Sequence, residues 1–319
     1  MRRPTVAFGP VRDGFGSWEW VGVELAEALS PYFDVTMFRD DPPKTQAAVF
    51  VKFPPPTDWL PRLESTRIIY CPVDFFGSAK EIDQYSEFLA CCSAIIIHSH
   101  RLRKYFRPYA PVEYLDHHIR FATPNRRRSV TDGPLLYVGV TSNLPPVVEW
   151  INRFSLPRDL ILLTNHTEAG DEASVKRFGI SQGKRVQVLR WSPSLQIQLQ
   201  GECSAAIDIR GSDFRARHKP PTKAMDFLAS GIPVALSASS STADHLRFMG
   251  FEPAILPGSD AVSDSALIRG FDRLFSAEYA SEAGRFGAAI AELNSLPRIA
   301  LRMRRLIDGV LGGGTDRLL

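Results

Sequence analysis

The chain has 319 residues, of which 44% are hydrophobic and 23% charged, and its formal net charge is +3. This composition is typical of a globular protein, and the length accommodates two domains of about 150 residues each. The small net charge argues against nonspecific nucleic-acid binding, which needs a strongly basic surface, but it is compatible with a small anionic ligand.

The cysteine pattern and the apolar runs exclude several further classes. The 4 cysteines have no CxxC spacing and no zinc-type cluster with histidine, so neither a disulfide framework nor a metal site is expected. This pattern favours a reducing cytoplasm. No apolar segment approaches the roughly 20 residues of a membrane span, and Pro10, Arg12 and Asp13 interrupt the amino-terminal apolar run. We therefore expect a soluble, cytoplasmic protein.

In the first part of the chain, short apolar runs alternate with amphipathic stretches of helix length. This alternation predicts βα units around a parallel sheet. A helix from Ser17 to Leu29, with Ser17 as a candidate cap, follows the first strand. The predicted strands cover residues 5–9, 34–38, 47–51, 67–71, 94–98 and 112–115.

A polar, arginine-rich interval at residues 121–134, which includes Arg126 to Arg128, interrupts this pattern and predicts a domain linker. The alternation then resumes with strands at residues 134–140, 160–164, 186–191, 205–209, 232–237 and 253–257. We expect an amino-terminal domain at 1–125, a carboxyl-terminal domain at 126–295, and a last helix at 296–319 that packs back toward the amino-terminal domain.

The segment 296–311 predicts that last helix and places arginines beside apolar residues. The apolar face indicates core packing. Weak peripheral contact with an anionic membrane is the alternative interpretation of the arginines. They are Arg298, Arg302, Arg304 and Arg305.

The segment KPPTKAMDFLASGIPVALS, residues 219–237, has the pattern of an anion-binding helix start. Thr222 to Ser230 has helical spacing, prolines precede it where they cost little, and Gly231 follows where a left-handed cap is expected. The unpaired amides of a helix start attract anions, and a strand follows directly. Five cations lie close by: Arg210, Arg215, Arg217, Lys219 and Lys223.

The order of Pro221, Lys223, Asp226, Gly231 and Pro233 resembles the signature of GT-B glycosyltransferases of the retaining Glu-x7-Glu group, which are family 4-like. The resemblance implies an α/β fold with two Rossmann-like domains facing across a cleft. It also implies a nucleotide-sugar donor in the second domain, retention of anomeric configuration, and no metal or other cofactor.

Site residues follow from the same resemblance. Asp226 aligns with the second family glutamate, which implies a bond to the donor ribose hydroxyls. His218 stands where the family has its first glutamate, which approaches the donor sugar. The glycine-rich loop of Gly14 and Gly16 would face the phosphates, and Trp191 would lie near the base.

In the family that the sequence resembles, an arginine and a lysine usually follow the first strand of the second domain. Neither is present in the corresponding segment here, GVTSNLPPVVEW, residues 139–150. We therefore expect other cations to stabilise the leaving diphosphate, which carries the developing charge in glycosyl transfer. They are Arg215, Arg217, Lys219 and Lys223. The alternative interpretation of each cation is a solvated surface charge. The alternative for Asp226 is a carboxylate without a ligand, which the helix dipole stabilises near the amino terminus of a helix.

Two further groups in the first half contain residues suited to catalysis or metal binding. Asp74 follows a predicted strand and could orient or deprotonate an acceptor hydroxyl, with a turn or cap aspartate as the alternative. Asp116, His117 and His118 do not predict a metal site, because neighbouring strand residues point to opposite faces.

The sequence thus predicts a hexosyltransferase-type glycosyltransferase that takes a nucleotide-sugar donor and an acceptor that is a glycan, a lipid or a small molecule. Two alternatives remain open. One is a non-catalytic GT-B-like protein that binds a nucleotide sugar or a glycan, or that serves as a scaffold. The other is a different GT-B enzyme, such as a nucleotide-sugar epimerase.

Overall fold

A computed structural model describes residues 2–41, 44–123, 132–166, 175–258 and 264–313. The chain forms two compact units, each with its own parallel sheet. Unit 1 comprises Met1–His118, His218–Pro220 and Leu293–Leu319, and unit 2 comprises Ile119–Arg217 and Pro221–Glu292. The predicted boundary at residues 125 and 126, and Arg126 to Arg128, lie outside the described residues.

The sheet of unit 1 has six parallel strands in the order β2-β1-β3-β4-β5-β6. Each of the six predicted strands is present. Most are buried apolar runs, which fit the interior of a parallel sheet, whereas the edge strand at residues 34–37 is largely exposed. The strands are β1 (Thr5–Gly9), β2 (Asp34–Met37), β3 (Ala47–Val51), β4 (Arg67–Cys71), β5 (Cys92–Ile97) and β6 (Val112–Tyr114).

The predicted helix after β1 is present, but its start differs from the expectation. Residues 16 and 17 are already helical, and they are followed by the π-helical stretch Trp18–Val23 and the α-helix Glu24–Leu29. The predicted Ser17 cap is wrong: Ser17 has helical dihedral angles, φ −62° and ψ −34°, and makes no side-chain cap bond. A capping side chain needs an extended backbone to reach the first-turn amides.

The other helices of unit 1 are short apart from the last. They are Thr57–Leu63 (3-10), Ala79–Asp83, Ser86–Ala90, His100–Leu102 (3-10), Arg103–Phe106 and Leu296–Leu311.

The last helix has the predicted bounds and packs its apolar face into unit 1. Ile299, Met303 and Ile307 are fully buried in the same core as the helix after β1. On its other face, the Arg302 guanidinium lies 3.5 Å from the Asp116 carboxylate, and that of Arg304 lies over the Tyr32 ring. The apolar face therefore packs as the core-packing interpretation predicts. Within the described ranges, no helix is long and apolar enough to cross a membrane.

The sheet of unit 2 also has six parallel strands, in the order β12-β11-β10-β7-β8-β9. All six correspond to predicted strands, most of them shorter by a few residues. The strands are β7 (Leu135–Val138), β8 (Leu160–Thr164), β9 (Val186–Arg190), β10 (Ala205–Asp208), β11 (Val234–Ser237) and β12 (Ala254–Leu256).

Helices surround this sheet, and the Thr222–Ala229 helix leads into β11. Gly231 ends it with φ +72°, the left-handed conformation predicted from the sequence. Gly287 packs against the same helix so closely that a Cβ atom would overlap the Leu228 carbonyl. Among the described residues, this unit also has the helices Thr141–Asn143 (3-10), Pro145–Arg153, Pro193–Glu202, Phe214–Arg217, Ser241–Phe248, Asp264–Leu274 and Ala277–Leu293, and residues 175–177 are helical.

Candidate functional site

Unit 2 has a topological switch point between β7 and β10. From β7 the chain proceeds to β8 and β9 on one side, then returns to place β10, β11 and β12 on the other side. The two connections that leave β7 and β10 therefore diverge at the carboxyl ends of these strands. In open parallel sheets, ligands bind in the crevice that this divergence creates.

Lys223 lies at this switch point. Its Nζ donates a hydrogen bond of 2.7 Å to the carbonyl oxygen of Val138, the last residue of β7. The ammonium also lies 5.7 Å from the centre of the Tyr137 ring. Because Lys223 belongs to the first turn of the Thr222–Ala229 helix, the positive charge adds to the positive end of the helix dipole.

A buried ion pair lies at the end of β10. Nη2 of Arg210 lies 2.7 Å from the Asp208 carboxylate, with side chains only 8% and 5% exposed. The Arg210 backbone amide donates to the Ser237 hydroxyl at the end of β11. Burial raises the pKa of Tyr137, and the Asp208 carboxylate raises it further, so the phenol stays neutral.

Arg210 was counted among the nearby cations but was not selected from the sequence as a site residue. The signal was present, because Asp208 and Arg210 are two residues apart at a strand end and therefore point to the same face. What the sequence did not reveal is that the pair is buried.

The structure divides the other predicted phosphate-binding cations between the units. Arg215 and Arg217 are exposed on the short Phe214–Arg217 helix of unit 2, where Asp213 accepts a hydrogen bond from the Ala216 amide. Lys219 is half-buried and belongs to unit 1.

His218, the residue at the position of the first family glutamate, also belongs to unit 1. It is 9% exposed. Its ring packs edge to face on Tyr105, with ring centres 5.5 Å apart.

Asp226 is 1% exposed and has backbone partners. Its Oδ1 accepts hydrogen bonds from the amides of Arg120, at 3.0 Å, and Phe121, at 3.4 Å. One turn later, the Ser230 hydroxyl accepts from the Thr123 amide at 3.2 Å. The helix thus holds the segment 120–123 in place, a role that the sequence did not indicate. Ribose binding by Asp226 stays a prediction.

Trp191 lies just after β9 and is half-buried. Its indole Nε1 donates to the Gln196 side chain at 2.7 Å, and its ring meets Phe121 edge to face at 5.7 Å. The glycine-rich loop of unit 1 is exposed, and Gly14 has φ +81° while Gly16 packs near the Trp20 ring. Contacts of these residues with the base or phosphates stay predictions.

Asp74 lies in the turn after β4 and has φ +52°, a left-handed conformation that non-glycine residues seldom adopt. It is half-buried. Its negative charge acts on His98, at the end of the neighbouring strand β5, in the direction of a higher pKa. A functional carboxylate and a turn aspartate are both compatible with this position.

The histidines near the ends of β5 and β6 form a buried cluster in unit 1. The His98 and His117 rings are 4.3 Å apart, and His118 bonds to the Glu24 carboxylate instead. Burial lowers the pKa of His98 to about 4 and also lowers the pKa of His117. Asp116 contacts Tyr114 and Arg302. Asp116, His117 and His118 therefore have different partners. The predicted reason is wrong, because β6 ends at Tyr114 and none of the three lies in a strand.

No protein-family model and no curated protein sequence matches this chain. Solved structures do match it. AviGT4, a glycosyltransferase involved in avilamycin A biosynthesis, has 14% identity, a TM-score of 0.62, and coverage of 98% of this chain and 99% of its own. The α,α-trehalose 6-phosphate synthase of Burkholderia multivorans has 12% identity, a TM-score of 0.63, and coverage of 98% of both chains.

A third structure, described as trehalose-6-phosphate from E. coli bound with UDP-2-fluoro glucose, has 11% identity and a TM-score of 0.58, with coverage of 92% of this chain and 78% of its own. Identities this low establish the fold alone. Together with the two parallel sheets of six strands, these matches show that the chain has the GT-B fold of glycosyltransferases.

Proposed function

We propose that the protein is a glycosyltransferase that transfers a sugar from a nucleoside diphosphate donor to an acceptor hydroxyl group. The observation that carries this proposal is the position of Lys223, whose Nζ donates a hydrogen bond to the Val138 carbonyl at the switch point of unit 2. A cation at a helix start, beside the carboxyl end of the first strand, is suited to a diphosphate.

In the proposed reaction, the bond between the anomeric carbon and the diphosphate oxygen breaks, and the electron pair leaves with the nucleoside diphosphate. The acceptor oxygen forms the new bond to the anomeric carbon, and its proton passes to the leaving phosphate. The main task of the protein is to stabilise the leaving group, which fixed cations in a site with little water do well. We assign this task to Lys223 and Arg210, with Arg215, Arg217 and Lys219 as further candidates.

The Asp208 carboxylate has a positioning role in this proposal. It holds Arg210 at the end of β10, with Nε and Nη2 at 2.8 and 2.7 Å from Oδ2. A guanidinium held in this way presents its charge without a loss of side-chain entropy when the ligand binds. Asp226 and Trp191 are proposed to contact the ribose and the base.

We further propose that His218 approaches the donor sugar and that Asp74 orients the acceptor hydroxyl. Retention of the anomeric configuration and independence of metal ions belong to the same proposal. Nuclear magnetic resonance of the product anomer tests retention, and activity in excess chelator tests metal independence.

Calorimetric titration of the full chain with UDP, GDP and dTDP tests the donor site. We expect one of them to bind, and we expect Lys223→Ala to weaken that binding by about tenfold, which corresponds to about 1.4 kcal/mol. Lys184→Ala is a matched control. Its ammonium also donates to a backbone carbonyl of unit 2, that of Phe154, at 2.8 Å, but Lys184 precedes its strand and so lies at the amino-terminal edge of the sheet.

If no nucleoside diphosphate binds, or if Lys184→Ala weakens binding as much as Lys223→Ala, the proposed donor site is wrong. A non-catalytic nucleotide-sugar binding protein is the second candidate, since His218 replaces the family glutamate and packs against Tyr105. Binding without transfer or hydrolysis of the corresponding nucleotide sugar, over a broad panel of acceptors, would favour this second candidate.

A further inference from the structure

Unit 1 has its own topological switch point, between β1 and β3, because the chain places β2 on one side of β1 and β3 on the other. A cavity of about 560 Å³ lies here. Its lining residues follow three neighbouring strands: Pro10 follows β1, Arg39 follows β2 and Phe53 follows β3. The cavity therefore lies where parallel sheets bind their ligands. We call it the aromatic pocket.

The walls of the aromatic pocket are rings. Phe53, Trp59, Phe75 and Tyr85 line it and are all half-buried, so each ring keeps part of its surface open. Phe75 meets Phe53 edge to face at 5.8 Å and Tyr85 edge to face at 5.7 Å. The contacts of Phe53, Phe75 and Tyr85 make a continuous apolar surface in a concave site, which is the usual character of a small-molecule pocket.

Backbone geometry singles out the same edge of the sheet. Lys52 (φ +65°) and Asp74 (φ +52°) are the non-glycine residues with positive φ within the described ranges. Each directly precedes a wall residue, Phe53 or Phe75. Two hydrogen bonds hold Lys52 in this conformation. Its amide donates to the Cys71 carbonyl, and its carbonyl accepts from the Tyr70 hydroxyl. Such backbone strain is concentrated at functional sites.

The chemistry of the walls selects the kind of ligand. Phe53 and Phe75 have no polar side-chain atoms, and the consecutive prolines Pro54, Pro55 and Pro56 have no backbone N–H. A flat apolar ring gains contact area against these walls without giving up any hydrogen bond to water. The hydroxyl groups of a ligand would instead need the polar side chains at the rim as partners.

The size of the pocket and its rim are consistent with this choice. A cavity of roughly 150 Å³ holds benzene, so the aromatic pocket has room for about three rings. The charged and polar lining residues are exposed, and they carry both signs, as in Arg12, Arg39, Asp40 and Glu87. They suit the polar end of a ligand whose ring body lies deeper.

We propose that the aromatic pocket binds the ring body of the acceptor, and that the acceptor is a small molecule with a flat aromatic or fused apolar ring system and a free hydroxyl group. This inference rests on the proposed glycosyltransferase function. Of the three acceptor classes considered, a glycan, a lipid and a small molecule, it selects the small molecule. Asp74, the proposed residue that orients the acceptor, directly precedes the wall residue Phe75 in the chain.

Calorimetric titration of the full chain with naphthol, and separately with methyl glucoside, tests the proposal without requiring catalysis. We expect naphthol to bind at least about tenfold more tightly than the glucoside, and Phe53→Ala to weaken it about tenfold. Trp59→Ala is a second variant in case Phe53→Ala fails to fold. Phe248→Ala is the control, because that ring is 77% exposed on unit 2 and should leave naphthol binding unchanged.

Preferential binding of the glucoside, or equal loss in Phe53→Ala and Phe248→Ala, would overturn the proposal. Its failure is separable from failure of the donor site. If a nucleoside diphosphate binds in a Lys223-dependent manner while naphthol does not, the acceptor inference is wrong and the glycosyltransferase proposal survives. If naphthol binds and no nucleotide does, the proposed function is wrong. If both bind, a naphthyl glycoside detected by mass spectrometry links the two sites.

Discussion

The two switch points of this protein follow the same topological rule but have opposite chemistry. In unit 2 the switch point is charged, with the buried pair of Asp208 and Arg210 at the end of β10 and the ammonium of Lys223 at the end of β7. In unit 1 the strands lead into the rings of the aromatic pocket, and the charges lie on its exposed rim. If both proposals hold, topology fixes where each ligand binds, and the few residues near the strand ends determine what kind of ligand it is.

The same contrast extends to electrostatics. The ion pair of unit 2 is almost fully desolvated. In contrast, Arg39 at the rim of the aromatic pocket and its partner Asp13 have side chains that are 53% and 79% exposed, with Nη2 3.1 Å from Oδ2. When one partner of a buried ion pair is removed, the remaining charge cannot be hydrated, and the folded state loses stability. When one partner of an exposed pair is removed, water solvates the remaining charge and little stability is lost. Substitutions should therefore have unequal effects in the two units.

The largest effect is expected for Asp208→Ala. It leaves the Arg210 guanidinium buried without this carboxylate, which should lower the free energy of unfolding by about 3–5 kcal/mol. Urea unfolding of the purified variant measures this. The double variant Asp208→Leu with Arg210→Met removes both charges and should be clearly more stable than Asp208→Ala; equal losses would contradict the buried-pair interpretation.

Acid should destabilise unit 1 through its histidine pair. Burial lowers the pKa of His98 from 6.5 to about 4, so below pH 6.5 the unfolded chain takes up a proton before the folded chain does. The stability that His98 provides at neutral pH should fall by about 1.4 kcal/mol per pH unit in this range, approaching 3 kcal/mol near pH 4.

Urea unfolding between pH 7.5 and pH 4, compared for the natural chain and His98→Gln, measures this slope. The variant should show a shallower decline, whatever its stability at pH 7.5. An unchanged slope in His98→Gln would mean that His98 does not titrate in this range.

A smaller effect is expected for Asp226→Ala in unit 2. The amides of Arg120 and Phe121 lose a buried acceptor, which should cost about 1–3 kcal/mol in the free energy of unfolding. Asp226→Asn keeps an acceptor oxygen and should lose less. If Asp226→Ala unfolds at the same urea concentration as the natural chain but nucleotide affinity falls, the carboxylate serves the ribose rather than segment 120–123.

The smallest effect is expected for Arg39→Ala at the rim of the aromatic pocket. Because its ion pair with Asp13 is exposed, the free energy of unfolding should change by less than about 1 kcal/mol. Thermal unfolding at low and high salt is a suitable measurement. A loss comparable to that of Asp208→Ala would remove the proposed distinction between the two switch points.

Much of the fold could be predicted because its signal is local. Every strand of both sheets overlaps a strand predicted from the sequence. The inner strands follow from apolar runs, since strands buried on both faces need apolar residues at nearly every position, whereas the edge strands β2 and β9 are partly exposed. The start of the Thr222–Ala229 helix and its end at Gly231 followed from proline and glycine, whose backbone limits do not depend on distant residues. The Ser17 cap failed because a capping residue needs a backbone conformation that its neighbours decide.

The candidate site could be predicted only in part. Lys223 was selected from its position at a predicted helix start, and the structure gives it a contact at the end of β7. The roles of Asp226 and Arg210 required the fold, because their partners or their burial depend on segments far apart in the chain. The aromatic pocket was missed, since its rings come from three separate segments that contain no common motif.

By itself, the sequence determined the two sets of βα units, the last helix and the cationic helix start, because periodicity, glycine and proline act over a few residues. Only the tertiary structure decided which strand ends meet, and hence that one switch point is charged and the other aromatic. The physical reason is that strand order brings together residues separated by dozens of positions, and burial then sets whether a charge is paired and whether a ring stays open to a ligand.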